Sequence, residues 1–322
     1  MKFYKSAKLV CGAMAMAGVL AHTSATAQSV AVTSIVEHPA LDAIKDGVLE
    51  ALTKAGYTEP KGLKWQFQTA QGNTAIAAQI ARKFVGDQPD VIVAIATPSA
   101  QAVVAATKTI PVVYSAVTDP VAAQLVSTME PSGTNVTGVS DSLALEKQVE
   151  LIKKAVPSAK RVGMVYNPGE ANSVVVVKQM RELLPKAGLS LVEATAARTV
   201  DVGAAARSLV GKVDVIYTNT DNNVVSAYEA LVKVGNDAKI PLIASDTDSV
   251  ARGAIAALGV NYHDLGLQTG AMVIKILKGA APGTLASQTS DKLELHVNPA
   301  AAQKQGVTLS EAFLKSATKV ID

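Results

Sequence analysis

The feature that most constrains this chain is a pattern of strand, turn and helix at residues 90–107, which read DVIVAIATPSAQAVVAAT. The apolar run 91–96 is continuous, as in a parallel strand that helices cover on both faces. Thr97 stands where a helix cap belongs, and Pro98 stands at the first helical position, where its missing N–H group costs nothing. The pattern predicts a helix N-terminus at the carboxyl end of a strand, which is where open α/β sheets bind ligands.

The same unit of strand, polar turn and helix recurs along the chain. Further strands are expected at residues 30–36, 63–69, 111–117, 161–166, 189–194, 214–218, 241–245, 254–260 and 293–297. Helices with one apolar stripe are expected between them, including one at 143–155 and one directly after the turn Thr118-Asp119-Pro120. This alternation predicts an α/β fold with doubly wound parallel sheets and right-handed crossovers.

A glycine-containing segment at 133–141, GTNVTGVSD, interrupts the alternation, which then restarts downstream. Since the length suggests about two domains, we expect two doubly wound lobes joined by a multi-strand hinge. Lobe 1 is expected to contain residues 28–141 and 262–285. Lobe 2 is expected to contain residues 142–261 and 286–322.

The N-terminus has the features of a cleaved signal peptide. Three lysines precede an apolar stretch at 9–21, and Ala25-Thr26-Ala27 supplies the small residues of a cleavage site. We interpret residues 1–27 as a signal peptide and expect the mature protein to be soluble and periplasmic. The apolar stretch is shorter than the roughly 18 residues of a transmembrane helix, and the sequence around Cys11 does not favour a lipid anchor.

Charge and cysteine content argue against several classes of protein. The net charge of +3 comes from the three leader lysines, so residues 28–322 carry 27 basic and 27 acidic side chains. A neutral chain of this kind does not indicate nucleic-acid binding. Cys11 is the one cysteine, so no disulfide bond is expected, and a hydrophobic content of 49% is ample for two cores.

Sequence motifs of common enzymes are absent. The chain has no G-x-G-x-x-G, G-x-x-x-x-G-K-[ST], G-x-S-x-G or H-E-x-x-H motif, so nucleotide, hydrolase and zinc sites lose their usual support. The histidines after the leader, His38, His263 and His296, are far apart in sequence, whereas a metal site needs several convergent ligands. We expect no metal, no cofactor and no enzyme activity.

Short polar turns follow the predicted strands at their carboxyl ends. The first half of the chain contributes Thr97, Ser99, Thr118 and Asp119, and the second half contributes Asn167, Asn172, Asn219, Asp221, Asn222 and Asp246. Each acid alone could simply cap a helix, but together these residues would line both sides of a cleft between the lobes. Hydroxyl groups and helix N-termini suit a carboxylate, and acidic side chains suit an ammonium group, so the cleft would suit a zwitterion.

Seven segments together resemble a known family, the ABC-transporter substrate-binding proteins of the tryptophan/aromatic amino-acid type, which have a periplasmic-binding-protein type I fold. The segments are HPALD at 38–42, ATPSAQA at 96–102, VTDPVAAQLV at 117–126, GTNVTGVSD at 133–141, YNPGEANS at 166–173, TNTDNNVVSA at 218–227 and LGVNYHDLGLQTG at 258–270. The resemblance covers essentially the whole chain after the leader. It implies a monomeric Venus-flytrap receptor that captures a small solute by hinge closure and delivers it to the membrane permease of an ABC importer.

By this resemblance the ligand would be an L-amino acid with an aromatic side chain, such as tryptophan or phenylalanine. We expect Thr97 and Ser99 to hold the carboxylate and Asp221 and Asp246 to hold the ammonium group, with the four asparagines orienting the ligand. Two other interpretations use the same cleft, an exported α/β enzyme for a small polar molecule and a ligand sensor. The lack of a nucleophile with a matched base favours the transport receptor over the enzyme.

Overall fold

The computed structural model describes residues 27–290 and 292–321, which form two α/β lobes. Residues 1–26 of the predicted signal peptide lie outside the described residues. Within the described ranges, no helix combines the length and the apolar character that a membrane crossing requires.

The strands of the described residues, in chain order, are β1 (Ser29–Ser34), β2 (Lys64–Thr69), β3 (Val91–Ile95), β4 (Val112–Ser115), β5 (Val136–Ser140), β6 (Arg161–Tyr166), β7 (Ser190–Thr195), β8 (Val215–Thr218), β9 (Leu242–Ala244), β10 (Ala256–Val260), β11 (Gln288–Thr289), β12 (Leu293–Val297) and β13 (Lys319–Val320). The α-helices are α1 (Pro39–Lys54), α2 (Thr74–Asp87), α3 (Thr97–Ala106), α4 (Leu145–Ala155), α5 (Ala171–Lys186), α6 (Val202–Ser208), α7 (Asn222–Ser226), α8 (Tyr228–Ala238), α9 (Asp248–Ala251), α10 (Tyr262–Leu277), α11 (Pro299–Lys304) and α12 (Glu311–Lys315).

The first lobe is built on a parallel sheet with the strand order β11-β5-β4-β3-β1-β2. Its central strand β3 has every residue buried, as the continuous apolar run predicts for a strand covered on both faces. Two helix pairs, α1 with α10 and α2 with α3, pack on this sheet. The carboxyl ends of β3 and β4 therefore lie side by side at one edge of the lobe.

The second lobe is built on a sheet with the strand order β13-β12-β10-β9-β8-β6-β7. All of its neighbouring strands are parallel except β10 and β12, which run antiparallel. The antiparallel strand is the one that enters this sheet after the chain has returned from the first lobe. The predicted architecture of two α/β lobes with parallel sheets is confirmed, with this one antiparallel pair added.

Three connections join the lobes, after β5, after β10 and after β11. The last of them lies later in the chain than expected. Strand β11 pairs with β5 in the first sheet, and the Thr137 hydroxyl donates a hydrogen bond to the Leu285 carbonyl at 3.0 Å. The chain therefore stays with the first sheet through Thr289, beyond the predicted boundary at residue 285. A two-residue strand leaves no periodic pattern in the sequence, which explains the difference.

Helix α10 packs on α1 at unusually close range. A Cβ atom at Gly47 would lie 2.5 Å from the His263 carbonyl oxygen, and one at Gly270 would lie 2.5 Å from the Cβ atom of Ala51. Real side chains do not fit at such distances, so the glycines let the two backbones approach each other. The first lobe is thus completed by a helix that comes from far along the chain.

The start of α3 differs from the prediction by one residue. Ala96 occupies the cap position with φ 72° and ψ 154°, while Thr97 and Pro98 are the first two helical residues. The Thr97 side chain therefore does not cap the helix. The strained backbone of Ala96 takes the chain from β3 into α3 without a side-chain cap.

The prediction of a helix after Thr118-Asp119-Pro120 is wrong, because the chain makes a short turn there. Asp119 does accept hydrogen bonds from the backbone N–H groups of Val121 and Ala122, at 3.1 and 2.9 Å, as a capping residue would. Gln124 then adopts φ 60°, a left-handed conformation that a right-handed helix cannot continue through.

Candidate functional site

Two adjoining cavities lie between the lobes, at the carboxyl ends of the strands. The first is called the acidic cavity here, and its lining includes His38, Thr97, Asp141, Asn172, Asn222, Asp246 and Tyr262. The second is called the aliphatic cavity, and its lining includes Leu143, Leu145, Val175, Val176, Tyr217 and Asn219. Thr118, Asp141 and Thr220 line both cavities.

The wall formed by the first lobe begins with strained backbone. Ala96 and Ala116 follow β3 and β4 directly, line the acidic cavity and have positive φ angles of 72° and 52°. For a residue with a Cβ atom such conformations cost about 1 to 3 kcal/mol each, and they concentrate at functional sites. Ala96 leads directly into α3, whose N-terminal end therefore lies at the cavity.

The hydroxyl groups of this wall have unused hydrogen-bonding capacity. The Thr97 side chain lines the acidic cavity, is 1% exposed, and its Oγ1 has no hydrogen-bond partner within the described chain. Ser99 is fully buried and its Oγ also has no partner there, but Ser99 does not line either cavity. Buried polar atoms are normally paired, so an unpaired hydroxyl on a cavity wall is a candidate ligand contact.

His38 adds a neutral imidazole to the acidic cavity. It precedes α1 and its Nδ1 atom has no hydrogen-bond partner within the described residues. Burial, together with the positive charge of Arg252, lowers the pKa of His38 to about 3. The imidazole is therefore uncharged at neutral pH and can contribute a hydrogen bond but no charge.

The wall formed by the second lobe is a hydrogen-bonded network centred on Glu170. The Oε2 atom of this buried side chain accepts from the Asn222 backbone N–H at 3.1 Å, from Asn222 Nδ2 at 2.5 Å and from Asn172 Nδ2 at 3.1 Å. Burial, reinforced by the charge of Asp221, raises the pKa of Glu170 to about 7. The network fixes Asn172 and Asn222 in place, and it leaves the Asn172 Oδ1 atom without a partner in the described chain.

Asp221 lies behind this wall and does not line either cavity. Its Oδ2 atom accepts from the Asn167 N–H and from the Ser173 hydroxyl, both at 2.6 Å, and its Oδ1 atom accepts from the Val224 N–H at 3.0 Å. Burial raises the pKa of this carboxyl group. Asp221 therefore joins α5 to the start of α7, and its oxygens are occupied by protein donors.

Asp246 has the same position in sequence, after a strand and before a helix, but it does line the acidic cavity. Its side chain is 1% exposed and accepts from the Ser249 N–H at 2.9 Å and the Ser249 hydroxyl at 2.8 Å. Burial raises the pKa of Asp246 to about 6. The carboxylate is thus ionised at pH 7 while only two donors within its own turn contact it.

Asp141 is the second acid of the acidic cavity, and it lies on the first connection between the lobes. It accepts from the Tyr262 hydroxyl at 3.0 Å and from the Thr118 hydroxyl at 3.3 Å, and burial raises its pKa. Tyr262 starts α10 on the second connection, so this hydrogen bond links two hinge segments. Across the cleft, the hydroxyl groups of Thr118 and Thr220 lie 3.3 Å apart.

No lysine or arginine is found among the described residues that line either cavity. Asp141 and Asp246 are therefore buried beside the acidic cavity without a basic side chain in its wall. Burying an ionised carboxylate without a counter-charge is unfavourable. The arrangement suits a small molecule that carries a cationic group.

The predicted site residues separate into two groups. Those that line a cavity are Thr97, Thr118, Asp119, Asn172, Asn219, Asn222 and Asp246, while those that lie behind the walls are Ser99, Asn167 and Asp221. The prediction missed four polar residues that line the acidic cavity: His38, Asp141, Thr220 and Tyr262. Asp141 could have been found, since it directly follows β5 as Asp246 closely follows β9. The others become visible only when the lobes face each other.

The sequence profile of a family described as ABC transporter substrate binding protein matches residues 29–321. The chain therefore belongs to that family, as the sequence motifs predict. Members of the family are substrate-binding proteins that act outside the cytoplasm.

Several known proteins are similar to the chain. A tyrosine-binding protein of Clostridioides difficile (strain R20291) is 42% identical over 271 residues, which cover 84% of this chain and 79% of that protein. A conserved domain protein from Vibrio cholerae is 50% identical, with a TM-score of 0.90 over 92% of this chain and 100% of that one.

Two further solved structures represent different states. An ABC domain from Streptococcus pneumoniae in complex with L-Trp is 34% identical, with a TM-score of 0.88 over 91% of this chain and 99% of that one. A substrate-binding protein with adhesive properties from Clostridium difficile, in its ligand-free, open structure, is 40% identical, with a TM-score of 0.68 over 92% of this chain and 99% of that one.

Proposed function

We propose that this chain binds a free aromatic L-amino acid between its lobes and delivers it to the permease of an ABC importer. The observation that carries this proposal is the composition of the acidic cavity. Two buried acidic side chains, Asp141 after β5 of the first lobe and Asp246 of the second lobe, line a cavity without basic side chains, and the first lobe also offers the start of α3 and the free hydroxyl of Thr97. Such a cavity has complementary partners for both charges of a zwitterion.

In this proposal Asp246 is the main partner of the ligand's ammonium group, because Ser249 is the one described residue that donates hydrogen bonds to its carboxylate. Thr97 and the N-terminal end of α3 hold the ligand's carboxylate, since helix N-termini favour negative charge. Asn172 and Asn222 orient the ligand from the opposite wall. Asp221 contributes indirectly, because its oxygens already accept three hydrogen bonds from the protein.

The aliphatic cavity is proposed to hold the ligand's side chain. Leu143, Leu145, Val175 and Val176 give it the apolar character that an aromatic ring requires, and it adjoins the acidic cavity at Thr118, Asp141 and Thr220. The similar proteins support an aromatic ligand, since one is a tyrosine-binding protein and another was solved in complex with L-Trp.

Ligand binding is proposed to drive closure of the lobes. The described conformation is closer to the L-Trp complex, at TM-score 0.88, than to the open structure, at 0.68, although the open protein is the more similar in sequence. Closing the lobes without a cation would leave Asp246 and Asp141 buried with no basic side chain in the described lining of the cavity, whereas an ammonium group supplies a counter-charge there. The ligand thus makes contacts that only the closed state offers, which shifts the population toward it.

The surroundings of the protein follow from the same proposal. The leader sequence supports secretion into the periplasm, and family membership supports a membrane permease as the partner. We propose that the protein acts as a monomer without catalytic activity.

The direct test is to unfold the purified protein, identify any released small molecule by mass spectrometry, and titrate the refolded protein calorimetrically with L-tyrosine, L-tryptophan and L-phenylalanine. Tyramine, which lacks the carboxylate, and 3-(4-hydroxyphenyl)propionate, which lacks the ammonium group, serve as matched ligands. We expect at least one aromatic amino acid to bind and both truncated ligands to bind at least about a hundredfold more weakly. A protein that binds a neutral polyol and no amino acid would refute the proposal.

A further inference from the structure

A chain of three buried side chains leads from the interior of the second lobe to the aliphatic cavity. The Ser173 hydroxyl lies 2.6 Å from Asp221 Oδ2, and Asn219 Nδ2 lies 3.0 Å from the Ser173 hydroxyl oxygen. All three side chains are at most 2% exposed. Of the three, only Asn219 lines a cavity, and that cavity is the aliphatic one.

Asp221 determines the direction of both hydrogen bonds in this chain of three side chains. Both oxygens of Asp221 accept from backbone N–H groups, those of Asn167 and Val224, so the carboxylate acts as an acceptor toward Ser173 as well. The single hydroxyl proton of Ser173 is used in that bond, and Ser173 can only accept from Asn219. The amide of Asn219 must therefore turn its nitrogen toward Ser173.

The consequence is that the Asn219 carbonyl oxygen is the atom left over. Oδ1 has no hydrogen-bond partner within the described chain, although the residue is 2% exposed. An amide that could rotate freely would offer a donor or an acceptor, but this one is held with its acceptor available. A buried acceptor without a donor is unfavourable, so its complement is a ligand that brings a donor.

We infer that Asn219 Oδ1 is a fixed acceptor for a hydrogen-bond donor on the ligand's side chain. Ser173 and Asp221 are positioning residues that hold the Asn219 amide in this orientation. The inference rests on the proposed function and deepens it. Among aromatic amino acids, tyrosine has a phenol O–H and tryptophan an indole N–H, while phenylalanine has neither. The site therefore selects tyrosine or tryptophan against phenylalanine.

The ligand's ammonium group is the other donor that could reach an asparagine oxygen. The acidic cavity already provides Asp246 and Asp141 for that group, and Asn219 does not line the acidic cavity. Binding measurements distinguish the two possible roles of Asn219. Loss of a contact with the ammonium group weakens the binding of every amino acid equally. Loss of a side-chain contact weakens only those ligands that carry the donor.

The first experiment compares ligands on the unaltered protein by isothermal titration calorimetry. L-tyrosine is compared with L-phenylalanine and with 4-fluoro-L-phenylalanine, whose fluorine is similar in size to a hydroxyl but cannot donate. We expect a preference for tyrosine over both of about tenfold, the size that one neutral hydrogen bond supports. Equal affinities for all three, with tryptophan no tighter, would overturn the inference alone. Failure of all aromatic amino acids to bind would overturn the proposed function and the inference with it.

The second experiment measures the ratio of tyrosine to phenylalanine affinity in variants. Asn219→Ala should bring the ratio close to one, and Ser173→Ala should lower it because the amide is then free to rotate. The control is Asn223→Ala, which removes a buried asparagine side chain four residues later whose described partners are Ala197 and Thr199 and which lines neither cavity. The control should retain the wild-type ratio. An Asn219→Ala protein that loses tyrosine and phenylalanine affinity by the same factor would overturn the inference.

Discussion

The two walls of the cleft satisfy their polar atoms in different ways. On the first-lobe side, the hydroxyls of Thr97 and Ser99 have no partner in the described chain, and strained backbone at Ala96 sets the wall's shape. On the second-lobe side, Glu170 and Asp221 each accept several protein hydrogen bonds. The first wall presents a hydroxyl group that no protein donor or acceptor in the described chain fixes, whereas the second wall uses its buried carboxylates to orient side chains such as Asn172 and Asn219, whose Oδ1 atoms have no partner in the described chain. Substitutions on the first wall should therefore affect binding, and those on the second should affect stability as well.

The largest effect should come from Asp221→Ala, which removes the acceptor of three buried donors. We expect the free energy of unfolding to fall by about 3 kcal/mol, since breaking a buried hydrogen-bonded charge leaves its partners unsatisfied. Urea denaturation followed by circular dichroism measures it. The control is Asp119→Ala, which loses only the N–H contacts of a more exposed turn, a change worth about 1 kcal/mol. Equal losses in the two variants would contradict the difference between the walls.

Next in size is Asp246→Asn, which keeps the shape of the side chain but removes its charge. The affinity for an aromatic amino acid should fall about a hundredfold, or about 2.7 kcal/mol, because the ammonium group loses its main counter-charge. Calorimetric titration measures the change. Asp248→Asn, a matched change two residues later that does not line either cavity, should bind normally. Wild-type affinity in Asp246→Asn would show that another group holds the ammonium.

A smaller effect is expected for Thr97→Val on the first wall. Affinity should fall about five- to tenfold through loss of one hydrogen bond, while thermal stability stays the same or rises, because the removed hydroxyl has no partner among the described residues. Thr107→Val at the other end of α3 is the mirror control. The Thr107 hydroxyl accepts from the N–H groups of Thr109 and Ile110, so this variant should lose stability and keep its affinity. The opposite pattern would place Thr97 among the structural residues.

The smallest effect concerns pH. Because burial raises the pKa of Asp246 to about 6, lowering the pH from 7.5 to 5.5 protonates most of the carboxyl group and should weaken amino-acid binding about fourfold. Titrations across this range measure the change, and Asp246→Asn should show a flat profile. A wild-type affinity that does not change with pH would exclude Asp246 as the titrating partner.

Stability should change with pH in the opposite sense to affinity. Glu170 and Asp246 have raised pKa values, about 7 and about 6, so the folded protein binds their protons more tightly than the unfolded chain does. Their contribution to the free energy of unfolding therefore increases as the pH falls from about 7 toward 4. Acidic pH should therefore stabilise the second wall while it weakens the proposed binding of the ligand's ammonium group.

The sequence predicts most strands well because strands buried on both faces, such as β3, leave continuous apolar runs. It does not predict β11, since two residues carry no pattern. The predicted start of α3 differs from the observed one by one residue, since Ala96 and not Thr97 takes the cap position. A positive φ at an alanine has no sequence signature. Local patterns thus locate the elements, while their ends depend on backbone geometry.

The sequence predicts the region of the candidate site. It does not predict which of the polar residues line a cavity and which lie behind the wall. Asp221 and Asp246 look alike in sequence, since each closely follows a strand and precedes a short helix. They differ because Asn167 and Ser173, from a distant turn and helix, donate to Asp221, whereas the described hydrogen-bond donors to the Asp246 side chain lie within its own turn. That distinction arises from tertiary packing and cannot be derived from either segment alone.

The close packing of α10 on α1 also constrains the order in which the protein can fold. During synthesis the chain emerges from its N-terminus, yet the helix that covers α1 ends only at Leu277. The strands β6 to β10 of the second lobe follow one another without interruption, so they can pair before the first lobe receives its last helix. Contacts between distant segments form slowly because a long loop must close. The part of the chain that is made first is therefore among the last to complete its core.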